Sequence, residues 1–82
     1  MTIDQLIKLG KIEIGTELIW RRRGLKTTHK ARVLADGKIE TEDGQVHKTP
    51  SGAAKYLNGN KPVDGWIAWK VKSTGLPLTR LR

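Results

Sequence analysis

The chain has no cysteine, no phenylalanine and a single tyrosine, and it carries half as many acids as bases. Each shortage excludes something. Without thiols there is neither a disulfide framework nor a thiolate zinc site to prop a weak core, and the composition fits a reducing, cytoplasmic setting. No apolar run is long enough for a signal-peptide core or a membrane span, so no membrane partner is expected. The two histidines, His29 and His47, stand at no ligand spacing from a second donor, which leaves no metal and no cofactor to expect. Catalysis has little to work with. Asp36-Gly37-Lys38, with Glu17 upstream, superficially supplies part of a nuclease metal site, but Asp-Gly at a hairpin tip explains the same residues, and a tip encloses nothing. No catalytic residue is assigned, and the protein is not expected to be an enzyme.

What the chain does have is positive charge. Sixteen Lys and Arg against eight Asp and Glu leave +8 on 82 residues, enough for one domain over 1–82 and the electrostatic footprint of a polyanion binder. Trp20 to Ala35 contains Arg21, Arg22, Arg23, Lys26, Lys30 and Arg32 and no acid; the acids gather instead in Asp36, Glu40, Glu42 and Asp43. A two-faced charge distribution follows if these segments fold together.

Local signals give an α+β architecture, an antiparallel meander with short packed helices. Thr2 and Gln5 have capping-box spacing, and Ile3, Leu6 and Ile7 make the stripe of a helix that Gly10 ends. A first strand holds Leu18, Trp20 and Arg22 on one side and Ile19, Arg21 and Arg23 on the other, with the arginine triplet in solvent at its outer end. Thr28 to Ala35 reads as a second strand. Asp36-Gly37 and Asp43-Gly44 then predict two-residue hairpin turns, with Leu34 opposite Ile39 and Thr41 opposite Val46. Thr49-Pro50 opens a short helix with Ala53, Ala54 and Leu57 facing the sheet and Asn58-Gly59 as its stop. Trp66 to Val71 predicts a further strand, and Pro77 starts a last turn in which Leu78 and Leu81 cover the edge of the core. The expected core is Ile3, Leu6, Ile7, Leu18, Trp20, Val33, Leu34, Leu57, Ile67 and Leu81.

The order Thr49-Pro50-Ser51-x-Ala53-Ala54, then Gly59, then Asp64-Gly65-Trp66-x-x-Trp69-Lys70 resembles the RAMA domain, whose members typically read Ser-Pro-Ser-x-Ala-Ala and Asn-Gly-Trp-x-x-Trp; Thr49 and Asp64 depart from that pattern. The likeness extends over nearly the whole chain. It implies a small α+β module that accompanies restriction endonucleases and adenine methyltransferases and is proposed to bind or read modified DNA.

Arg21, Arg22, Arg23 and Lys26, with Lys30 and Lys70, are candidate phosphate contacts, because guanidinium forks match phosphate oxygens; the alternative is a solvated charge run. Lys48, Ser51 and Lys55 around the start of the Thr49 helix make a candidate anion seat, alongside the capping role that already justifies Thr and Pro. Trp66 and Trp69, three apart on a strand, would face opposite sides, so at least one is core. Tyr56, Trp66 and Trp69 are the aromatics that could meet the methyl group of N6-methyladenine, a function implied by the resemblance alone. The expected function is therefore a module docking on duplex DNA. The alternatives are a protein-interaction module that tethers a restriction or methylation enzyme through the Trp66/Trp69 side, and a single-strand or RNA binder, against which the low aromatic count argues.

Overall fold

The computed structural model describes residues 1–82, the whole chain. Helix α1 (Ile3–Lys8) starts with the expected capping box: Gln5 N donates to Thr2 Oγ1 at 3.2 Å and Thr2 N to Gln5 Oε1 at 2.8 Å. Strands β1 (Glu17–Arg22) and β2 (Thr27–Val33) follow, joined by a 3-10 turn over Arg23–Leu25, and then β3 (Ile39–Thr41) and β4 (Val46–His47). Helix α2 (Pro50–Leu57) forms where Thr49-Pro50 predicts it, with Thr49 Oγ1 accepting from Gly52 N at 3.0 Å. A four-residue helix α3 (Gly65–Ala68), strand β5 (Lys70–Val71) and a 3-10 turn over Leu78–Leu81 complete the chain. The five strands form one antiparallel sheet in the order β4-β3-β2-β1-β5.

Strand alternation divides the molecule into layers. Leu18 on β1, Ala31 and Val33 on β2, Ile39 on β3 and Val71 on β5 point to one side, where they pack with Ile3 and Leu6 of α1, Ala53 of α2, Trp69 and Leu78. The helices cover this side. Trp69 is fully buried and donates its Nε1 proton to Pro50 O at 3.1 Å, tying the end of α3 to the start of α2. Trp69→Phe is expected to lower the unfolding free energy by about 1–3 kcal/mol, from the lost hydrogen bond and the void left by the smaller ring, read from urea midpoints.

Three expectations are corrected. Both Asp-Gly turns are one residue longer than a two-residue hairpin: Leu34 N donates to Lys38 O and Thr41 N to Gln45 O, each at 2.9 Å. The pairs are consequently Val33 with Ile39 and Glu40 with Val46. The physical reason lies with the aspartates. Only Gly37 and Gly44 take positive φ in these loops, while Asp36 and Asp43 do not and accept from Lys38 N and Gln45 N through their side chains. Val33 enters the core and Leu34 is only half-buried.

The second correction concerns Trp66 to Val71, which is not one strand. Asp64 Oδ1 accepts from Trp66 N at 3.0 Å and caps α3, and Trp69 N closes on Gly65 O at 3.0 Å, so strand geometry begins only at Lys70. The third follows from it: Ile67, expected in the core, is 61% exposed on α3. Trp66 packs half-buried against the cluster, as do Ile7, Trp20, Leu57 and Leu81.

Candidate nucleic-acid interface

The other side of the sheet carries no helix and presents Glu17, Ile19 and Arg21 of β1, Thr28, Lys30 and Arg32 of β2, Glu40 of β3 and Lys70 of β5. Register decides which charges meet. Arg32 lies opposite both Glu17 and Glu40 and binds Glu40 at 2.6 Å, while Glu17 pairs with Lys72 at 3.1 Å; this end of the face is neutralised. One row further along, Ile19 lies between Lys30 and Lys70, and beyond it Arg21 stands opposite Thr28. None of Arg21, Lys30 and Lys70 has an acid within ion-pair distance, and neither have Arg23 and Lys26 on the adjoining hairpin turn. An open hollow of about 470 Å³ lies at the neutralised end of this face, where Glu17, Glu40 and Glu42 line it together with Lys30, Arg32 and Lys72.

The arginine triplet is not a single unit. Arg23 leaves the strand for the 3-10 turn, and Lys26 next to that turn is exposed with φ of 51°, a left-handed conformation in which a non-glycine residue is uncommon. Arg22, expected in solvent, is half-buried on the helix side. Its guanidinium donates to Asn58 Oδ1 at 2.7 Å and to Leu57 O at 3.4 Å and stacks 4.8 Å from the Trp20 ring. It clips the hairpin to the C-terminal end of α2, where orphan carbonyls and the negative end of the helix dipole favour a cation. Arg22→Ala is therefore expected to destabilise the fold by about 1–3 kcal/mol, read from a urea midpoint, whatever it does to binding. His29 sits beside Trp20 with its ring centroid 5.3 Å away; burial, reinforced by the nearby Arg22 charge, holds its pKa below the usual histidine value.

The helix start is likewise occupied by the protein itself. Gly65 packs directly on the Pro50-Ser51 peptide, and its N–H donates to Ser51 Oγ at 3.0 Å. Pro50 has no N–H and is buried, so little of the expected anion seat is open. Nor do Lys48 and Lys55 flank it together: Lys48 precedes the N-cap and Lys55 lies in the last turn.

The aromatics have separate fates. Trp69, expected as a possible base contact, is closed inside the core and cannot reach one. Trp66 is half-buried beneath the Arg82 guanidinium, 4.3 Å from its ring. Tyr56 is 42% exposed, with its hydroxyl donating to Asp43 Oδ2 and its ring 4.8 Å from that of His47. The hydroxyls of Thr41 and then Tyr56 hold the Asp43 carboxyl at a pKa of about 2, and the same bond raises the Tyr56 pKa. A carboxyl with a depressed folded pKa stabilises above its unfolded value near 4 and loses that contribution as pH falls through about 2. Asp43→Asn is accordingly expected to show a shallower fall in urea midpoint between pH 4 and pH 2 than the unaltered chain.

No group of three or more His, Cys, Asp or Glu side chains is placed to hold a metal ion, and no helix is long and apolar enough to cross a membrane. Asp36, Lys38 and Glu17 do not converge. Asp36 pairs with Lys38 at 3.2 Å within the turn, and Glu17 pairs with Lys72.

A five-stranded antiparallel sheet with helices on one side and unpaired cations on the other defines a small basic α+β module. The chain belongs to the RAMA family, described as Restriction Enzyme Adenine Methylase Associated, whose model matches residues 1–82. It is 40% identical over 80 residues to the human ankyrin repeat domain-containing protein 31, covering 95% of this chain and 4% of that protein. It is 34% identical over 68 residues to the mouse protein of the same name, covering 82% and 4%. The chain thus spans about 4% of the length of these curated relatives. The family's description is of an associated domain, linked to restriction and methylation enzymes, rather than of a catalytic one.

Proposed function

We propose that this module docks on duplex DNA with the open face of its sheet and the β1–β2 hairpin. The observation that supports this most is the grouping of Arg21, Lys30 and Lys70 from three strands around Ile19, continued by Arg23 and Lys26, with no carboxylate neutralising any of them. Unpaired cations repel one another, and a polyanion relieves that repulsion while releasing its own counterions. Lys30 and Lys70 stand two strand spacings apart, roughly 10 Å, a reach suited to phosphates on both walls of a groove. Lys48, on the link from β4 to α2, and Lys55 of α2 add to the overall positive field, while Ser51 is engaged by Gly65. The family's association with adenine methylases and restriction enzymes supports DNA as the polyanion.

The finer reading, recognition of N6-methyladenine, rests on that association. It requires an apolar or aromatic surface against the methyl group; Tyr56 and Trp66 belong to α2 and α3 on the helix side, so the apolar side chain available on the docking face is Ile19, half-buried among the cations. One buried methyl contributes about 0.8 kcal/mol, so a several-fold preference is expected, lost in Ile19→Ser while binding to unmethylated duplex persists. The experiment is a titration of labelled methylated duplex, unmethylated duplex, single strand and RNA at two salt concentrations. Salt-sensitive binding favouring duplex is expected; equal affinity for all four, or none for duplex, overturns the reading.

A second reading has one observation in its favour: Ile67 is 61% exposed on α3 beside Trp66, an apolar projection on the helix side. There the module would tether a restriction or methylation enzyme, or, as in its relatives, serve a much longer chain. Ile67→Asp would then abolish capture of the enzyme without changing DNA affinity.

A further inference from the structure

Most hydroxyls in this protein are committed to local structure. Those of Thr2 and Thr49 cap helices, Thr16 donates to Glu13 O, Thr27 to Leu25 O and Thr41 to Asp43, Thr74 accepts from Leu76 N, and Ser51 holds Gly65. Thr28, Ser73 and Thr79 remain without a partner, and of these only Thr28 stands among the unneutralised cations. Its register partner across the sheet is Arg21, and Lys30 follows two residues on along β2 on the same face. Thr28 is exposed, and the side of β2 away from β1 is open there, because β3 pairs only with Ala31, Arg32 and Val33. Arg21, Arg22, Arg23 and Lys26 precede it in the chain, and Lys30 and Arg32 follow it.

We propose that Thr28 is a phosphorylation site for a protein kinase that selects basic substrates, and that Arg21 and Lys30 form the seat of the resulting phosphate. The γ-phosphoryl group of ATP passes to Thr28 Oγ1: the new O–P bond forms as the bond to the β-phosphate oxygen breaks, ADP leaves, and the hydroxyl proton goes to the base of the kinase. The product places a charge of about −2 and acceptor oxygens opposite a guanidinium fork. Arg21 then binds an internal phosphate in place of an external one, and the patch loses about two positive charges at its centre. Modification of this one hydroxyl releases the module from DNA. The seat itself stands on the register, and only this consequence rests on the DNA reading.

The test incubates the folded chain with ATP and an arginine-directed protein kinase, maps the modified residue by mass spectrometry, and follows the phosphate by 31P NMR as pH is varied. Incorporation at Thr28 is expected, with a second phosphate pKa below the usual value of about 6 that returns toward it in Arg21→Gln. The modified chain should also lose about two from the log–log salt slope of DNA binding. Incorporation at Thr27, Ser73 or Thr79 instead, no incorporation, or a phosphate pKa indifferent to Arg21→Gln overturns the proposal. The NMR result is independent of DNA, so a chain that fails to bind duplex but shows the Arg21-dependent phosphate keeps the modification site and removes only its proposed effect.

Discussion

Gly65→Ala is expected to cost about 3 kcal/mol, the upper end of the usual cost of overpacking. A Cβ on Gly65 would overlap the Pro50 carbonyl group and the Ser51 nitrogen, all backbone atoms of the first turn of α2, so no side chain can swing aside. Relief requires α2 and α3 to separate. Separation breaks the Trp69 Nε1 bond to Pro50 O and the Gly65 N bond to Ser51 Oγ, and it opens the core around Trp69 and Ala53. A domain of this length has a total stability of about 4–12 kcal/mol, and a change of this size lowers its Tm by roughly 12–24 °C. Gly24→Ala is the control. Nothing lies within 4 Å of a Cβ there and φ is not positive, so its effect should stay within about 0.5 kcal/mol. If both alanine variants melt with the unaltered chain, α3 does not sit on the start of α2.

The largest expected effect on binding is that of replacing Arg21, Lys30 and Lys70 together with glutamine. Each phosphate contact adds about 0.9 to the magnitude of the log–log salt slope, so the triple variant should lose about 2.7 and weaken on every duplex sequence alike. Stability should hardly move, because these side chains are exposed and make no ion pair. Lys48→Gln with Lys55→Gln should lower the slope by much less, since Lys48 sits on the link from β4 to α2 and Lys55 in the last turn of α2, apart from the grouping on the sheet. An equal loss in the two sets would reduce the grouping on the sheet to a general positive charge.

Elements announced by neighbouring residues were legible in the sequence. Thr2 with Gln5 and Thr49 with Pro50 set the starts of α1 and α2 through bonds made within a few residues. Arg22 could have been placed as well: it alternates with Leu18 and Trp20, which puts it on the buried side, but only the folded chain shows that α2 ends beneath it to receive the guanidinium. The strand expected over Trp66 to Val71 failed because tryptophan and isoleucine carry β propensity while Asp64 and Gly65 specify a helix start, and the seat of Gly65 on Pro50 is a contact between distant segments. Hairpin register was lost to one extra residue per turn. Each aspartate carboxylate accepts a local N–H with φ not positive, so Asp-Gly did not adopt two positive φ values. The proposed interface depends on Ile19 pairing with both Lys30 and Lys70, and the second of these pairings joins residues some fifty positions apart and has no local signal.

Backbone amide shifts of the labelled domain, followed as a short duplex is titrated in at moderate salt, locate the docking face. The perturbed residues should be Ile19, Arg21, Arg23, Lys26, Thr28, Lys30 and Lys70, on the open face and its hairpin, with Lys48, Ser51, Lys55 and Tyr56 unmoved. Perturbations confined to α2 and α3, with the open face silent, would contradict docking on this face.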